Sequence, residues 1–190
     1  MKKRIENAGA FFYHYPCAPC IITARHGLQE NAMAAAWHAP FSYKPALYGI
    51  LLSEKRFTLQ LILESKEFGI NFMPLEKAEL IASVGGSGGA KMDKFQKFKL
   101  AKEKPLVTSV PILKDAFATY ECRVKDHRPY GDHEMVVGEV VAVHFDTDAF
   151  NEKGVNVSGV NALVYLGGDN YSTPAKDCVK HLDRAAYGKK

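Results

Sequence analysis

Two long strand-like runs joined by a tight polar break constrain this chain more than any other feature. Ala118, Tyr120, Cys122 and Val124 are apolar in phase and alternate with Thr119, Glu121 and Arg123, the period of a half-buried strand. A turn signal follows at HRPYGD, residues 127–132. Glu134 to Phe145 then reads EMVVGEVVAVHF, longer than an ordinary strand and interrupted by Gly138. An internal glycine in so long a run suits a coiled barrel strand that bends at that point. The pairing of 116–124 with 134–145 predicts a hairpin, and a barrel is one fold that needs ribbons of this length.

The earlier strand readings agree with an all-β frame. They are CIITA (20–24), NAMAAAW (31–37), LYGILLS (47–53) and FGINFM (68–73), with helical spacing in LQLILESK (59–66) between the last two. From Glu76 to Leu113 the pattern changes to a helical EKAELIASV, a GGSGG loop and KMDKFQKFKL. That region reads as an excursion from the barrel. After Asp146 the chain is turn-rich. NALVYLG (161–167) predicts a last short strand and CVKHLDRAAY (178–187) a terminal helix. Strands and helices do not alternate strictly, so a barrel is expected over a doubly wound sheet. The expectation is one mainly β domain over residues 1–190 with its excursion at 76–113.

Composition narrows the function classes. A formal charge of +4 is modest, and the lysines from Lys91 to Lys104 alternate with Phe95, Phe98 and Leu100. This pattern predicts an amphipathic surface segment with a solvated basic face, not a nucleic-acid footprint. No apolar run approaches a membrane span. The opening MKKRIENAGAFFYHYP lacks the apolar core of a secretory signal, so a cytoplasmic protein is expected. Cys20 and Cys122 fall on apolar phases and read as buried inert thiols. Cys17 and Cys20 form a single C-x-x-C, a weak metal or redox signal without a second pair. The histidines show no metal-ligand spacing, and no metal is expected.

Three segments carry candidate chemistry. Ala34, Ala35 and Ala36 leave a strand nearly bare of side chains, although alanine is a poor strand former. Either a flat ligand approaches the backbone there, or a large neighbour such as Trp37 covers a tight core site. Ser53-Glu54-Lys55-Arg56-Phe57-Thr58 ends a strand and opens a helix. Free N–H groups, a guanidinium and hydroxyls would converge on a phosphate there. The alternative is an ordinary Thr58 cap beside a solvated Arg56. His133 follows the Tyr130-Gly131-Asp132 turn, either as a ligand-facing imidazole or as a surface residue. The glycines from Gly85 to Gly89 fail the Walker and dinucleotide patterns and predict a flexible loop.

Taken in order, these pieces resemble the flavin reductase and flavoredoxin family, an FMN-binding split β-barrel. The similarity runs from Tyr15 to Tyr171. It is carried by PCAPCIITA (16–24), N-A-M-A-A-A-W (31–37), Pro40, Ser42 and Pro45, LYGILLS with Lys55–Thr58, and EFGIN (67–71). SGG-x-K-x-DKF (87–95), GDH-x4-GEV (131–140) and LGGDNY complete it. The resemblance implies that isoalloxazine meets backbone N–H groups from Met33 to Trp37, along Ala34, Ala35 and Ala36. Ser53, Lys55, Arg56 and Thr58 would hold the FMN phosphate. Asn31, Asn71, Ser87, Lys91 and Asp93 join the implied cofactor set, with the 87–95 loop over the flavin or its nicotinamide partner. His133 would serve catalysis on the nicotinamide side, with NADH or NADPH as co-substrate. A homodimer is implied, delivering electrons to an acceptor such as ferric iron, an acceptor protein or a monooxygenase. The alternative is a flavoredoxin-type carrier with tightly held FMN. The CAPC sequence departs from the proline and apolar residues expected at its position.

Overall fold

The computed structural model describes residues 1–6, 9 and 11–182. Seven strands form one antiparallel sheet, in the order β2-β1-β5-β8-β9-β4-β3. They are β1 (Cys20–His26), β2 (Gln29–Ala35), β3 (His38–Tyr43), β4 (Ala46–Ser53), β5 (Glu67–Phe72), β8 (Ala118–Tyr130) and β9 (His133–Phe145). The two outer strands of that order are β2 and β3, and the barrel is split between them. Pairs of short strands lie outside the sheet: β6 (Lys102–Glu103) with β7 (Ile112–Leu113), β10 (Phe150–Asn151) with β11 (Gly154–Val155), and β12 (Val164–Gly167) with β13 (Asn170–Ser172). Among the described residues no helix is long and apolar enough to cross a membrane.

The predicted hairpin is present and longer than expected, with pairing carried out to Tyr130–His133 around Gly131 and Asp132. Gly138 has a packing reason as well as a bend. A Cβ there would come within 2.6 Å of the Phe68 ring and 2.9 Å of the Cys122 Cβ. The register shifts beside it, between Val124 and Asp126, so β8 bulges at Lys125.

Strand β1 is buried on both faces because it separates two cores. Cys20, Ile22 and Ala24 enter the barrel core with Ile50, Leu52, Phe68, Ile70 and Val136. Ile21 enters a second core with Ile81, Val84, Phe95, Leu113 and Leu163. That second core lies beneath the 76–113 excursion, which holds α2 (Ala78–Gly85) and α3 (Lys94–Lys97). Helix α1 (Phe57–Ser65) buries Leu59, Leu61 and Ile62 in the barrel core and closes at Lys66, which is left-handed at φ 61°.

Three expectations change. The run 31–37 is not one strand: β2 ends at Ala35, and a strand missed by pattern, β3, starts at His38. Pro40 hides it, yet the chain tolerates proline there because β3 is an edge with a register shift between Pro40 and Ser42. The segment 91–104 does not present all its lysines to water, since Lys94 is buried. The terminal helix is not seen in the described part of 178–187. A short 3₁₀ turn spans Lys176–Cys178, residues 179–182 are non-helical, and the remainder of that reading lies outside the described residues. Cys20 and Cys122 are fully buried as expected, and burial pushes both thiols up. Cys17 and Cys20 are free thiols, not a disulfide.

Candidate functional site

Strand β2 and the opening of α1 build two neighbouring cavities. The first holds about 290 Å³. Asn31, Met33 and Ala34 of β2 form one wall, Lys55, Arg56, Phe57 and Thr58 a second, and Gly85, residues 87–91 and Lys94 a third. The second cavity, about 430 Å³, is lined by Ala34, Ala35 and Ala36 with Pro19, Tyr165 and Tyr171 among its other walls. Ala34 and Gly85 belong to both. Because β2 ends the sheet, one edge of its backbone has no strand partner. The alanines therefore leave backbone N–H and C=O groups accessible to a ligand. Trp37 does not cover them. It is 38% exposed, with its ring 4.8 Å from that of His133 and 6.3 Å from Phe11.

The first cavity is cationic by construction. Its lining carries the cations of Lys55, Arg56, Lys91 and Lys94 and no carboxylate. Arg56 caps α1 in an extended conformation without a side-chain cap bond. The N–H groups of Phe57 and Thr58 thus remain available to a ligand, whereas Leu59 N already donates to Arg56 O at 3.0 Å. Thr58 is not that cap. It lies inside the helix, buried, and its hydroxyl accepts from Asn31 Nδ2 at 2.8 Å. Asn31 Oδ1 is buried with no partner. Such an atom is costly unless a ligand donates to it. Gly89 makes room for this side chain, because a Cβ there would collide with the Asn31 amide. The glycine-rich loop is therefore fitted to the cavity at that position.

Lys94 is the residue the sequence reading missed. Its ammonium is buried and donates to the Val84 carbonyl, near the C-terminus of α2, at 2.8 Å. Burial, and then the nearby Arg56 guanidinium, push it down to about 8. Lysines at 91, 94 and 97 have the spacing of a solvated helix face, which concealed it. The available signal was its place between Asp93, the α3 cap, and Phe95, a core residue.

The other expected site residues divide. Ser87 and Lys91 line the first cavity, with Ser87 Oγ donating to Ser83 O at 2.7 Å. Ser53 lines neither cavity, but its carbonyl accepts from Arg56 N at 3.0 Å and shapes the turn. Asp93 lines neither and accepts from Gln96 N as a helix cap. Asn71 is held in the core, donating to Ile21 O and Thr23 Oγ1 and accepting from Leu113 N and Thr119 Oγ1. Its polar capacity is fully used there, so it has nothing to offer a ligand. His133 pairs with Ser53 across the β4–β9 ladder and lies outside both linings. Its Nδ1 donates to Asp132 Oδ1 at 2.7 Å, and this bond, with the interaction of the two charges, holds the Asp132 carboxyl below its usual range.

The arrangement is a split barrel with a cationic hole beside a bare edge strand, the two cavities sharing Ala34 and Gly85. The chain belongs to the flavin reductase like domain family, whose model matches residues 12–173. It is 31% identical to an FMN-binding protein of Thermus thermophilus solved with bound 1-cyclohex-2-enone, covering 95% of this chain and 99% of that one at a TM-score of 0.84. The fold matches flavoredoxin of Desulfovibrio vulgaris over all of both chains, at 20% identity and a TM-score of 0.83. A ferric-chelate reductase (NAD(P)H) of Archaeoglobus fulgidus is 27% identical over 73% of this chain and 81% of its own length.

Proposed function

We propose that the chain is an FMN-dependent oxidoreductase reduced by NADH or NADPH. The observation that carries the reading is the carboxylate-free cationic cavity, with its unpartnered Asn31 oxygen, continuing into the alanine edge of β2. Lys55, Arg56, Lys91, Lys94 and the α1 opening hold the phosphate. Thr58 orients Asn31, whose oxygen accepts from a hydroxyl of the ribityl chain. Ala34 to Ala36 hold the flat head through the backbone. When bound, FMN supplies hydride acceptance and onward electron transfer, and the protein supplies position and electrostatics.

His133 is assigned to the nicotinamide side. Asp132 fixes the ring through Nδ1, and Nε2 has no hydrogen-bond partner among the described residues. The ring also packs on Trp37, next to the alanine wall. The relationship to a ferric-chelate reductase supports NAD(P)H as donor and a metal chelate as one acceptor class. An acceptor protein or a monooxygenase component remains within the same proposal, as does a homodimer. Exposed Phe11 beside Trp37, with exposed Phe12 and Tyr13 following it in the chain, gives a second copy apolar surface to cover.

The test is FMN titration followed by rapid mixing with NADH and NADPH. The expected result is micromolar or tighter FMN binding and rapid bleaching by one nucleotide. His133→Ala should keep FMN and its spectrum, slow reduction by the nucleotide and leave dithionite reduction unchanged. A folded protein that does not bind FMN refutes the reading. Tight FMN with slow reduction by both nucleotides replaces the enzyme with an electron carrier.

A further inference from the structure

We propose that the open end of the barrel is a second binding site, a cavity for a flat, largely apolar ring ketone or quinone whose carbonyl oxygen accepts from Tyr120. The cavity holds about 420 Å³ and is lined by Ala118, Tyr120, Val143, Phe145, Phe150 and Asn151. It shares no lining residue with the two cavities described above, so it stands apart from the flavin reading.

The register puts these walls on the inner face of the sheet. Residues directly opposite each other in a ladder share a face. Tyr120 pairs with Ile70 on one side and Val143 on the other, and Ala118 pairs with Phe72 and Phe145. Ile70 belongs to the barrel core. Val143 and Phe145 therefore face inward, yet they are 49% and 57% exposed. A bulge keeps them there. Glu121 pairs with Ala142 and Cys122 with Val140, which leaves Val141 as the extra residue of β9. Without it, Ala142 and His144, the partner of Glu121, would face in, and Val143 and Phe145 would face out. Beyond Tyr120 the inner face thus stays apolar but unfilled. Phe150 stands at its rim, edge-on to Phe145 at 5.8 Å and tilted against Phe117 at 6.0 Å.

An apolar concavity with a few polar groups is the usual form of a small-molecule site, and those groups set the ligand's chemistry. Tyr120 and Asn151 are the only polar side chains of this lining. Tyr48, whose ring is 5.4 Å from that of Tyr120, spends its hydroxyl on His38 Nδ1 at 2.7 Å. The Tyr120 hydroxyl has no hydrogen-bond partner among the described residues. Only Asn31 Oδ1 and Thr173 Oγ1 are both buried and unpartnered there, so the Tyr120 hydroxyl is reachable. Burial, and then the Cys122 thiol, push its phenol up, so it stays protonated at neutral pH. Asn151 Oδ1 accepts from Lys153 N at 2.9 Å, which leaves Nδ2 as its free group. Both free groups can donate, and the amide nitrogen can only donate. The complementary ligand brings an acceptor on an apolar ring, which a carbonyl supplies. A charged ligand would find no counter-charge in this lining.

The probe is 1-tetralone, compared with tetralin, the same ring system without the oxygen. In carbon-resolved NMR of the full chain, 1-tetralone should move the Ala118 and Val143 methyl signals saturably at millimolar concentration or below. Tyr120→Phe should weaken 1-tetralone by about 3- to 10-fold, the worth of one neutral hydrogen bond, and leave tetralin within about twofold. Phe145→Ala should weaken both probes by about fivefold or more, because it removes an apolar wall. Melting curves check that both variants fold, and Tyr120→Phe decides alone if Phe145→Ala does not. Methyl signals indifferent to millimolar 1-tetralone overturn the proposal. Equal weakening of both probes by Tyr120→Phe refutes the carbonyl contact and the ligand class with it. If the same methyl signals ignore the ketone and shift with protein concentration alone, a second copy covers the barrel end and the proposal fails.

Discussion

Replacing Lys94 by methionine should move ligand affinity and ligand-free stability in opposite directions. Methionine has similar reach and no charge. In the ligand-free protein the ammonium is buried with Arg56 nearby, and the fall from 10.5 to about 8 corresponds to about 3 kcal/mol against the charged form. The bond to Val84 O returns about 1.5 kcal/mol of that. Lys94→Met should therefore stabilise the ligand-free protein at pH 7 by about 1–2 kcal/mol, or about 2–8 °C in melting temperature. The pH dependence has a definite sign. Between about pH 8 and 10.5 the unfolded chain binds the proton that the folded lysine has released. Wild-type stability should rise with pH across that window, and the variant should lack the rise. FMN binding should weaken, because one charged hydrogen bond to the phosphate is worth about 1.5–3 kcal/mol, or about 10- to 150-fold in Kd. Differential scanning fluorimetry without ligand and flavin-fluorescence titration read the two effects. Unchanged FMN affinity would remove Lys94 from the phosphate site. A variant less stable than wild type without ligand would show that the Val84 bond outweighs desolvation.

Arg56→Ala should weaken FMN by about tenfold or more while leaving riboflavin nearly unchanged, because only the phosphate needs the guanidinium; equal losses for both ligands would place Arg56 elsewhere. Acid stability should depend on Glu121. Burial alone would raise its carboxyl, but bonds from His144, Leu106 N and Thr108 outweigh that and hold it at about 2. A folded value below the ordinary 4.5 means stability present above pH 4.5 and lost as pH falls toward 2, about 3 kcal/mol in all. Urea midpoints at pH 7, 4 and 3 should fall steeply for wild type. For Glu121→Gln they should start lower and fall less, and parallel curves would refute the assignment.

The parts of this fold legible in the sequence are those where one physical demand sets the pattern. The 118–145 hairpin alternates because one face is buried, and residues 20–24 of β1 are apolar except for Thr23 because the strand separates two cores. β3 was illegible because an edge strand has no such demand: it carries Pro40, Tyr43 is exposed, and Phe41 is only half covered, its ring lying over Gly49. At the site, residue types were more legible than their partners. Ser53 to Thr58 read correctly as a turn into a helix, yet Thr58 orients Asn31 instead of capping that helix. Asn71 and Asn31 look equivalent in sequence, both buried asparagines on strands. Only the tertiary neighbours separate them. Asn71 meets four partners from β1, β7 and β8, whereas Asn31 meets one and leaves an oxygen over. Lys94 shows the same limit more sharply. Lysine every third residue signals a wet helix face, and nothing local reveals that α2 ends against that face with a carbonyl to receive an ammonium. A site that gathers β2, α1, α2 and α3 around one cationic cavity is set by distances between elements, whereas sequence periodicity reports only each element's relation to water and core. The glycines at 89 and 85 connect the two scales. Each is small because β2 approaches it, through the Asn31 amide in the first case and the Ala34 Cβ, 3.2 Å from where a Cβ would stand, in the second. A residue small for that reason marks where the elements of this site converge.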